Sequence, residues 1–176
     1  MTTTTSPCAA LDAQASARQW LDHQTESKPA FAFQGHGFII DNLGFLLPAP
    51  LRCELVEDLQ LCPLPGTARW LLGMTHLRGK ILPVFDLRSL ISSAAQPGRY
   101  QRFLFIDPQD RGFAIAIGSM PFRLDLEPHQ KLVRSTGIPE ILVPFCQALY
   151  QSDKVWIELD YKAFFHQQSQ RLYGAA

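Results

Sequence analysis

From residue 31 onward, short apolar runs alternate with turn residues, a pattern typical of small β-barrels and β-sandwiches. The runs at residues 37–40 and 45–47 flank Asp41-Asn42-Leu43-Gly44, where Asn and Gly tolerate a positive φ angle. The runs at residues 102–106 and 113–117 flank a second segment with Pro and Gly. The pattern therefore predicts two β-hairpins, each at the start of one half of the domain.

The ends of the two halves also match, because residues 79–91 align without a gap on residues 153–165. Both copies contain a Lys, a β-rich run, an Asp, a basic residue two positions later and a bulky apolar pair. The run predicts a strand, and Asp86 or Asp160 predicts the cap of a short helix. Chance similarity is the alternative. We interpret residues 31–170 as two related β-subdomains that share one core, with boundaries near 31–91 (first half), 92–99 (linker) and 100–166 (second half).

Residues 1–28 differ from the rest in being rich in Ala, Thr and Gln. Ser6-Pro7 fits a helix start, and Lys28-Pro29 would end the helix. Apolar residues between these points fall on one helical face: Ala10, Ala13, Ala17, Trp20 and Leu21. We interpret this segment as an N-terminal arm, either a short helix or a disordered segment, with a docking arm for a partner as the alternative.

The charge balance is neutral, with 16 Lys and Arg against 16 Asp and Glu. It argues against a general nucleic-acid binder and against a protein steered to anionic membranes. The longest apolar stretches are short and broken by polar residues and prolines, so no membrane span is predicted. The start of the chain lacks the pattern of a secretory signal, which makes the cytoplasm the expected location. The four cysteines form no C-x-x-C motif and are expected to be free thiols, mostly in the core.

Motifs for phosphate, dinucleotide, metal or nucleophile chemistry are absent from the sequence. The five histidines are never paired at ligand spacing, so no metal or cofactor is expected, and Gly35-His36-Gly37 is interpreted as a flexible turn. Two alternative functions stay open on the residues alone. One is a thiol enzyme that uses Cys62 with His76 as base. The other is a single-stranded nucleic-acid binder that uses basic and aromatic residues at Arg99, Tyr100, Arg102 and Phe103.

The strongest signal is the segment 70–87, where two apolar runs meet at Leu77-Arg78-Gly79-Lys80. It predicts a hairpin whose tip exposes Arg78 beside a glycine. A guanidinium held there can donate in a fixed fork to a partner's carboxylate or carbonyls. Pro83 lacks a backbone donor and so predicts an edge strand. Spacing alone leaves two readings, an interaction hairpin and an ordinary solvated turn.

The same segment resembles the CheW-like adaptor proteins of bacterial chemosensory arrays. Their motif G-x-x-N-L-R-G-x-x-x-P-V-x-D-L is matched by Gly73, Leu77, Arg78, Gly79, Pro83, Val84, Asp86 and Leu87. Upstream, Glu54-Leu55 is similar to a Glu-Ile pair of the family, and Leu64-Pro65 with Trp70 is similar to its approach to the hairpin. The resemblance covers residues 37–166.

The resemblance implies an all-β fold with short helices, built as two interlocked five-stranded SH3-like β-barrels without catalytic activity. It implies an adaptor that links a CheA-type histidine kinase to the cytoplasmic tips of methyl-accepting chemoreceptors, recruited to membrane-associated arrays without inserting into the membrane or binding nucleic acid. The early hairpin is more similar to variants of type IV pilus or twitching systems than to flagellar ones. The partner-binding region implied by position contains Gly73, His76, Leu77, Arg78, Gly79, Arg52, Glu54 and Leu55.

The chain departs from the family pattern at three positions. His76 replaces the usual Asn before Leu-Arg-Gly, which removes an amide that both donates and accepts. Gly118 stands where the second half often has Asp, and Arg52 stands where an aliphatic residue is usual. These departures predict a divergent set of partners.

Overall fold

The computed structural model describes residues 31–92, 98–107, 112–133 and 137–173. These residues form ten strands, two α-helices and two 3-10 helices. The strands are β1 (Phe33–Ile40), β2 (Leu43–Pro48), β3 (Cys53–Glu57), β4 (Leu71–Leu77), β5 (Lys80–Phe85), β6 (Arg102–Ile106), β7 (Phe113–Ile117), β8 (Phe122–Leu126), β9 (Cys146–Gln151) and β10 (Val155–Leu159). The helices are α1 (Leu87–Ile91), α2 (Tyr161–Tyr173) and the 3-10 turns Pro128–Gln130 and Glu140–Phe145. The predicted N-terminal arm and most of the predicted linker lie outside the described residues.

The strands form two five-stranded sheets, in the orders β8-β1-β2-β10-β9 and β3-β6-β7-β5-β4. In each sheet, the opening hairpin of one half of the chain is joined in parallel by the last strand of the other half. In the first sheet β10 lies beside β2, and in the second sheet β5 lies beside β7. The two halves are therefore interlocked, and the all-β class with two five-stranded units is confirmed. The strand pairings of the described residues leave both sheets open, so neither is a closed barrel.

The buried apolar residues form three clusters. The largest draws on strands of both sheets and on α2, and so lies between the sheets; Phe38, Phe45, Phe85, Phe113 and Phe165 are among its members. The other two clusters each belong to one sheet. One contains Val84, Phe103 and Phe105, and the other contains Leu46 and Trp156. Each sheet thus curves around a small core of its own and contributes its other face to the shared core.

The repeated strand-to-helix junction is confirmed at both of its capping residues. Asp86 accepts a hydrogen bond from the Ser89 backbone N–H at 3.2 Å, and Asp160 accepts one from that of Ala163 at 3.0 Å. Both carboxylates satisfy an N–H group of the first helical turn, which has no partner within the helix.

The basic residue that follows each capping Asp also has the same role in both copies. Arg88 pairs with Asp41 in the turn after β1, and Lys162 pairs with Asp107 after β6. Asp41 and Asp107 both have a positive φ, of 53° and 51°. Each short helix is therefore tied to the opening hairpin of its own half.

The interpretation of Gly35-His36-Gly37 as a flexible turn is wrong. All three residues lie within β1, which pairs with β2 on one side and β8 on the other. The glycines leave room for an aromatic ring, because a Cβ at Gly37 would lie 2.6 Å from Cζ3 of Trp156. Gly44, on the neighbouring strand β2, approaches the same indole even more closely than Gly37 does, since a Cβ there would lie 2.2 Å from Cε3 of Trp156.

The expectation that the cysteines lie mostly in the core is also wrong for those in the described residues. Cys53 and Cys62 are exposed and Cys146 is half-buried, although all three are free thiols. Cys53 begins the outer strand β3 and Cys146 begins the outer strand β9, where one side of the chain has no neighbouring strand. Although Cys53 as a whole is exposed, partial burial of its thiol, followed by the negative charge of Asp107, raises its pKa to about 11.

Pro83 does not lie on an edge strand, contrary to the expectation from its missing N–H. Its strand, β5, lies between β7 and β4. The parallel pairing of β5 with β7 begins only at Val84, so Pro83 falls just before the stretch that needs a donor on that side.

Candidate interaction site

The tip of the β4–β5 hairpin is a two-residue turn. Leu77 pairs with Lys80, and the two residues between them both have positive φ angles, 48° for Arg78 and 82° for Gly79. This pair of left-handed residues defines the turn type whose twist matches that of the flanking strands. The left-handed region is unfavourable for an arginine, at a cost of about 1 kcal/mol or more, and such strain is concentrated at functional sites. The exposed Arg78 predicted from the sequence is confirmed.

Arg78 forms an ion pair with Glu54 on β3. Its Nη2 lies 2.7 Å from Glu54 Oε1, with the Arg78 side chain 70% exposed and the Glu54 side chain 26% exposed. Leu77 and Val56 explain this approach, since both pack against the same small core of the second sheet. The pair links the two outer strands of that sheet through side chains. No other described residue accepts a hydrogen bond from the guanidinium, so its remaining N–H groups face solvent.

Three other predicted residues lie on or beside the outer strands of the same sheet. Arg52 precedes β3 and is exposed, and its carbonyl accepts a hydrogen bond of 2.8 Å from the Asp107 backbone N–H. Leu55 is half-buried and packs against the core between the sheets. His76 is exposed on β4, opposite Ile81 of β5. Because Leu55 faces the core between the sheets, it lies on the face of β3 opposite to Glu54.

Gly73 is the predicted site residue that lies away from the tip. It is buried at an irregularity in the β4–β5 pairing and has a φ of 142°. A Cβ on Gly73 would lie 2.4 Å from the Cys62 carbonyl oxygen, in the segment that crosses the outer edge of β4. Its geometry gives it a backbone role in that crossing, which is distinct from direct contact at the tip.

An apolar groove begins three residues beyond Arg78, at Ile81, whose exposure is 70%. The groove has a volume of about 580 Å³ and lies between β5, the start of β7 and α2. Its lining includes Ile81, Pro83, Phe113, Phe165, Lys162 and His166. Sequence reasoning missed this groove. The only sequence pattern that pointed to the groove is the alternation that places Ile81, Pro83 and Phe85 on one face of β5. The opposite wall, formed by α2, comes from the other half of the chain, so no local pattern links it to β5.

The residues of the nucleic-acid alternative have other roles. Phe103 is buried, and Tyr100 donates a hydrogen bond of 2.9 Å to the buried carboxylate of Asp86. Burial, with the charge and hydrogen bond of Asp86, raises the pKa of Tyr100 to about 12. Arg102 pairs with Glu57 at 2.9 Å. This stretch thus supports the fold and offers no row of exposed aromatic rings.

No cluster of three or more His, Cys, Asp or Glu side chains among the described residues is placed to hold a metal ion. None of their helices has the length and apolar character that crossing a membrane requires. Cys62 of the thiol alternative is exposed and pairs through its backbone with Met74.

The chain is similar to known proteins in both sequence and fold. The model of the CheW-like domain matches residues 37–169. Protein PilI of Pseudomonas aeruginosa is 25% identical over 129 residues, which are 72% of this chain and 71% of PilI. The crystal structure of the scaffolding protein TtCheW from Thermoanaerobacter tengcongensis has the same fold, with a TM-score of 0.58 at 19% identity over 73% of this chain and 88% of that chain.

Proposed function

This chain belongs to the CheW-like domain family, and from that premise we propose that it is a non-enzymatic adaptor of a bacterial chemosensory array, coupling chemoreceptors to a CheA-type histidine kinase. The similarity to PilI and to a scaffolding protein supports this role. The similarity to PilI also favours a system that controls type IV pili. The adaptor is recruited to membrane-associated arrays through its partners.

The observation that carries the proposal is the presentation of Arg78. The rigid two-residue turn holds the guanidinium outside the sheet, and Glu54 fixes its orientation with one hydrogen bond of 2.7 Å. A planar guanidinium with free N–H groups recognises a carboxylate or a pair of carbonyls at a partner's surface. The tip therefore offers a partner a directional polar contact. This role involves no catalytic step.

The other residues of the partner-binding region have distinct roles in this proposal. Gly79 permits the turn, and Leu77 anchors it to the sheet. Glu54 orients the guanidinium. Gly73 acts at a distance, because it lets the crossing segment at Cys62 approach β4. In this proposal three more predicted residues, each exposed or half-buried, offer further contacts: Arg52, Leu55 and His76.

The apolar groove gives the proposed adaptor a second surface, because Ile81 and Pro83 lie on the face of β5 opposite to Leu82 and Val84 of the small core. A partner segment can lay apolar side chains against Ile81 and Pro83 there. Burial of that apolar area supplies affinity, whereas the ion pair sets the orientation. A single surface of this size binds modestly, so linked contacts within an array provide the overall strength.

The test is affinity capture from an extract of the native cell under reducing conditions, with retained proteins identified by mass spectrometry. Wild-type chain is expected to retain a histidine kinase or a chemoreceptor. Arg78→Asn is expected to lose most of that partner, because Asn tolerates the left-handed turn but has no charge. Arg69→Asn, at another exposed arginine, is the matched control and retains the partner.

Ile81→Lys tests the groove separately. Because Ile81 is 70% exposed, this change is expected to leave the unfolding free energy nearly unchanged while reducing partner capture. Recovery of neither kinase nor receptor by wild-type chain would contradict the adaptor role. Full capture by Arg78→Asn would instead show that Arg78 is an ordinary solvated turn residue.

A further inference from the structure

The outer strands of the two sheets differ in what covers their free edges. The edge of β4 is covered by Cys62, which exchanges two backbone hydrogen bonds of 2.8 and 2.9 Å with Met74. The edge of β9 receives a backbone bond of 2.8 Å from Leu132. Covered edges of this kind protect a sheet from pairing with another chain. The outer edge of β3 has no such backbone bond to a described residue, and its Glu54 forms a side-chain ion pair with Arg78.

The outer edge of β8 differs from those of β4 and β9. On the side away from β1, its backbone makes no hydrogen bond with any other residue that the structure describes. The strand has five residues, Phe122–Leu126, and no proline interrupts it. The N–H and C=O groups of β8 that point away from β1 therefore have no bond to a described residue and can pair with a further strand.

The side chains of β8 are complementary to themselves. Arg123 and Asp125 are exposed on one face, while Phe122, Leu124 and Leu126 lie on the other. In an antiparallel pairing of two β8 strands about Leu124, each Arg123 faces Asp125 of the second copy. Opposite charges at directly facing positions stabilise such a pair. Within one chain these two side chains are only loosely paired, at 3.7 Å.

We propose that β8 is a self-association edge, at which two copies of this chain pair antiparallel about a two-fold axis and join their first sheets into one continuous sheet. The same surface is used by both copies, as a two-fold interface requires. On the opposite face from the charges, Phe122 of one copy comes beside Leu126 of the other. Phe122 is 41% exposed and packs edge-on against Trp156 at 5.7 Å, so its position is already fixed in the single chain.

The interface is small. An edge of five residues buries far less than the roughly 1,000 Å² expected of a stable association. The dimer therefore forms at high local concentration and dissociates on dilution. This proposal does not depend on the adaptor role, because it uses neither the hairpin tip nor the groove.

The test is sedimentation velocity of the full chain under reducing conditions over a wide range of concentration. The wild-type weight-average mass is expected to rise from 19.8 kDa toward twice that value. Arg123→Asp or Asp125→Arg alone replaces two opposite-charge pairs with two like-charge pairs, and each is expected to raise the dissociation constant by at least about tenfold. Arg69→Asp changes the charge equally at another exposed site and should leave the association unchanged.

A mixture of the two variants provides the decisive result. The Arg123→Asp chain carries two aspartates on its edge and the Asp125→Arg chain carries two arginines, so the two are complementary to each other. An equal mixture should associate at least as well as wild type, and so should the chain with both substitutions. Hydrogen exchange at β8 should slow in the mixture, since its outer amides become bonded.

Three results would overturn the proposal. Wild-type chain that stays monomeric at every concentration excludes this association. Single variants that associate like wild type place any dimer elsewhere. A mixture that associates no better than its components shows that the charges at these two positions do not face each other.

Discussion

Arg78 lies in the turn that follows the outer strand β4 and Glu54 lies on the opposite outer strand, β3, yet their side chains meet at 2.7 Å. The strand order β3-β6-β7-β5-β4 puts three strands between them, so the contact exists because the sheet curves around its small core. The ion pair joins the two outer ends of the curved sheet. It orients an exposed guanidinium without burying it.

The first prediction concerns the strength of this pair. A double-mutant cycle with Glu54→Gln and Arg78→Asn should give a coupling of about 0.2–1 kcal/mol in the free energy of unfolding, because exposed ion pairs gain little. Urea denaturation measures it. The coupling should fall at high salt, since exposed charges are screened. A coupling energy above about 3 kcal/mol, in the range of a buried pair, would mean that the ion pair mainly stabilises the fold.

The second prediction separates two glycines. Gly79→Ala should lower the free energy of unfolding by about 1 kcal/mol or more, because Gly79 has a φ of 82° that alanine adopts at a cost. Gly118→Ala is the matched control. Gly118 is exposed, and an added Cβ would meet no atom within 4 Å, so its substitution should be neutral or slightly stabilising. Equal effects of the two changes would contradict the turn geometry.

Local features of the fold could be predicted from the sequence. The hairpins and the capping Asp86 and Asp160 depend on residues close together in the chain, and all are present. The exchange of strands could not be derived from the residue pattern. It depends on parallel pairing between β2 and β10, where Leu43 meets Val155, and no periodicity links positions so far apart.

The candidate site divides in the same way. The exposed tip at Arg78 follows from turn chemistry and was predictable. Its contact with Glu54 was not, because it needs the curvature of the whole sheet. The error at Gly35 and Gly37 has the same origin, since a glycine such as Gly37, which makes room for the distant Trp156, looks like a turn glycine in sequence.

The third prediction tests that explanation of the glycines. Gly44→Ala should lower the free energy of unfolding by about 3 kcal/mol or more, because its Cβ would lie 2.2 Å from Trp156 Cε3 and the core would be overpacked. Trp156→Leu is destabilising alone, through the lost burial of the indole. The double variant should nevertheless be more stable than the sum of the two effects allows. Simple additivity in urea denaturation would show that the indole is not the reason for the glycine.

The fourth prediction concerns alkaline pH and the bond between Tyr100 and Asp86. Burial, with the charge and hydrogen bond of Asp86, raises the pKa of Tyr100 to about 12 in the folded chain, whereas an unfolded tyrosine ionises near pH 10. The tyrosine is neutral in both states below about pH 10, so its contribution to stability is complete there. Above that pH only the unfolded chain loses the proton, and the contribution decreases as the pH rises toward about 12.

Tyr100→Phe isolates this effect from the other groups that titrate in the same range, among them Cys53, whose pKa is raised to about 11. Near pH 8 the wild type should be more stable than Tyr100→Phe by about 1 kcal/mol, the value of one hydrogen bond. That difference should shrink as the pH rises from about 10 to about 11, because the variant has no phenol to ionise on unfolding. Urea denaturation of both proteins across this range measures the difference directly. A difference that stays constant would mean that Asp86 does not hold the proton on Tyr100, and that the carboxylate serves only to cap α1.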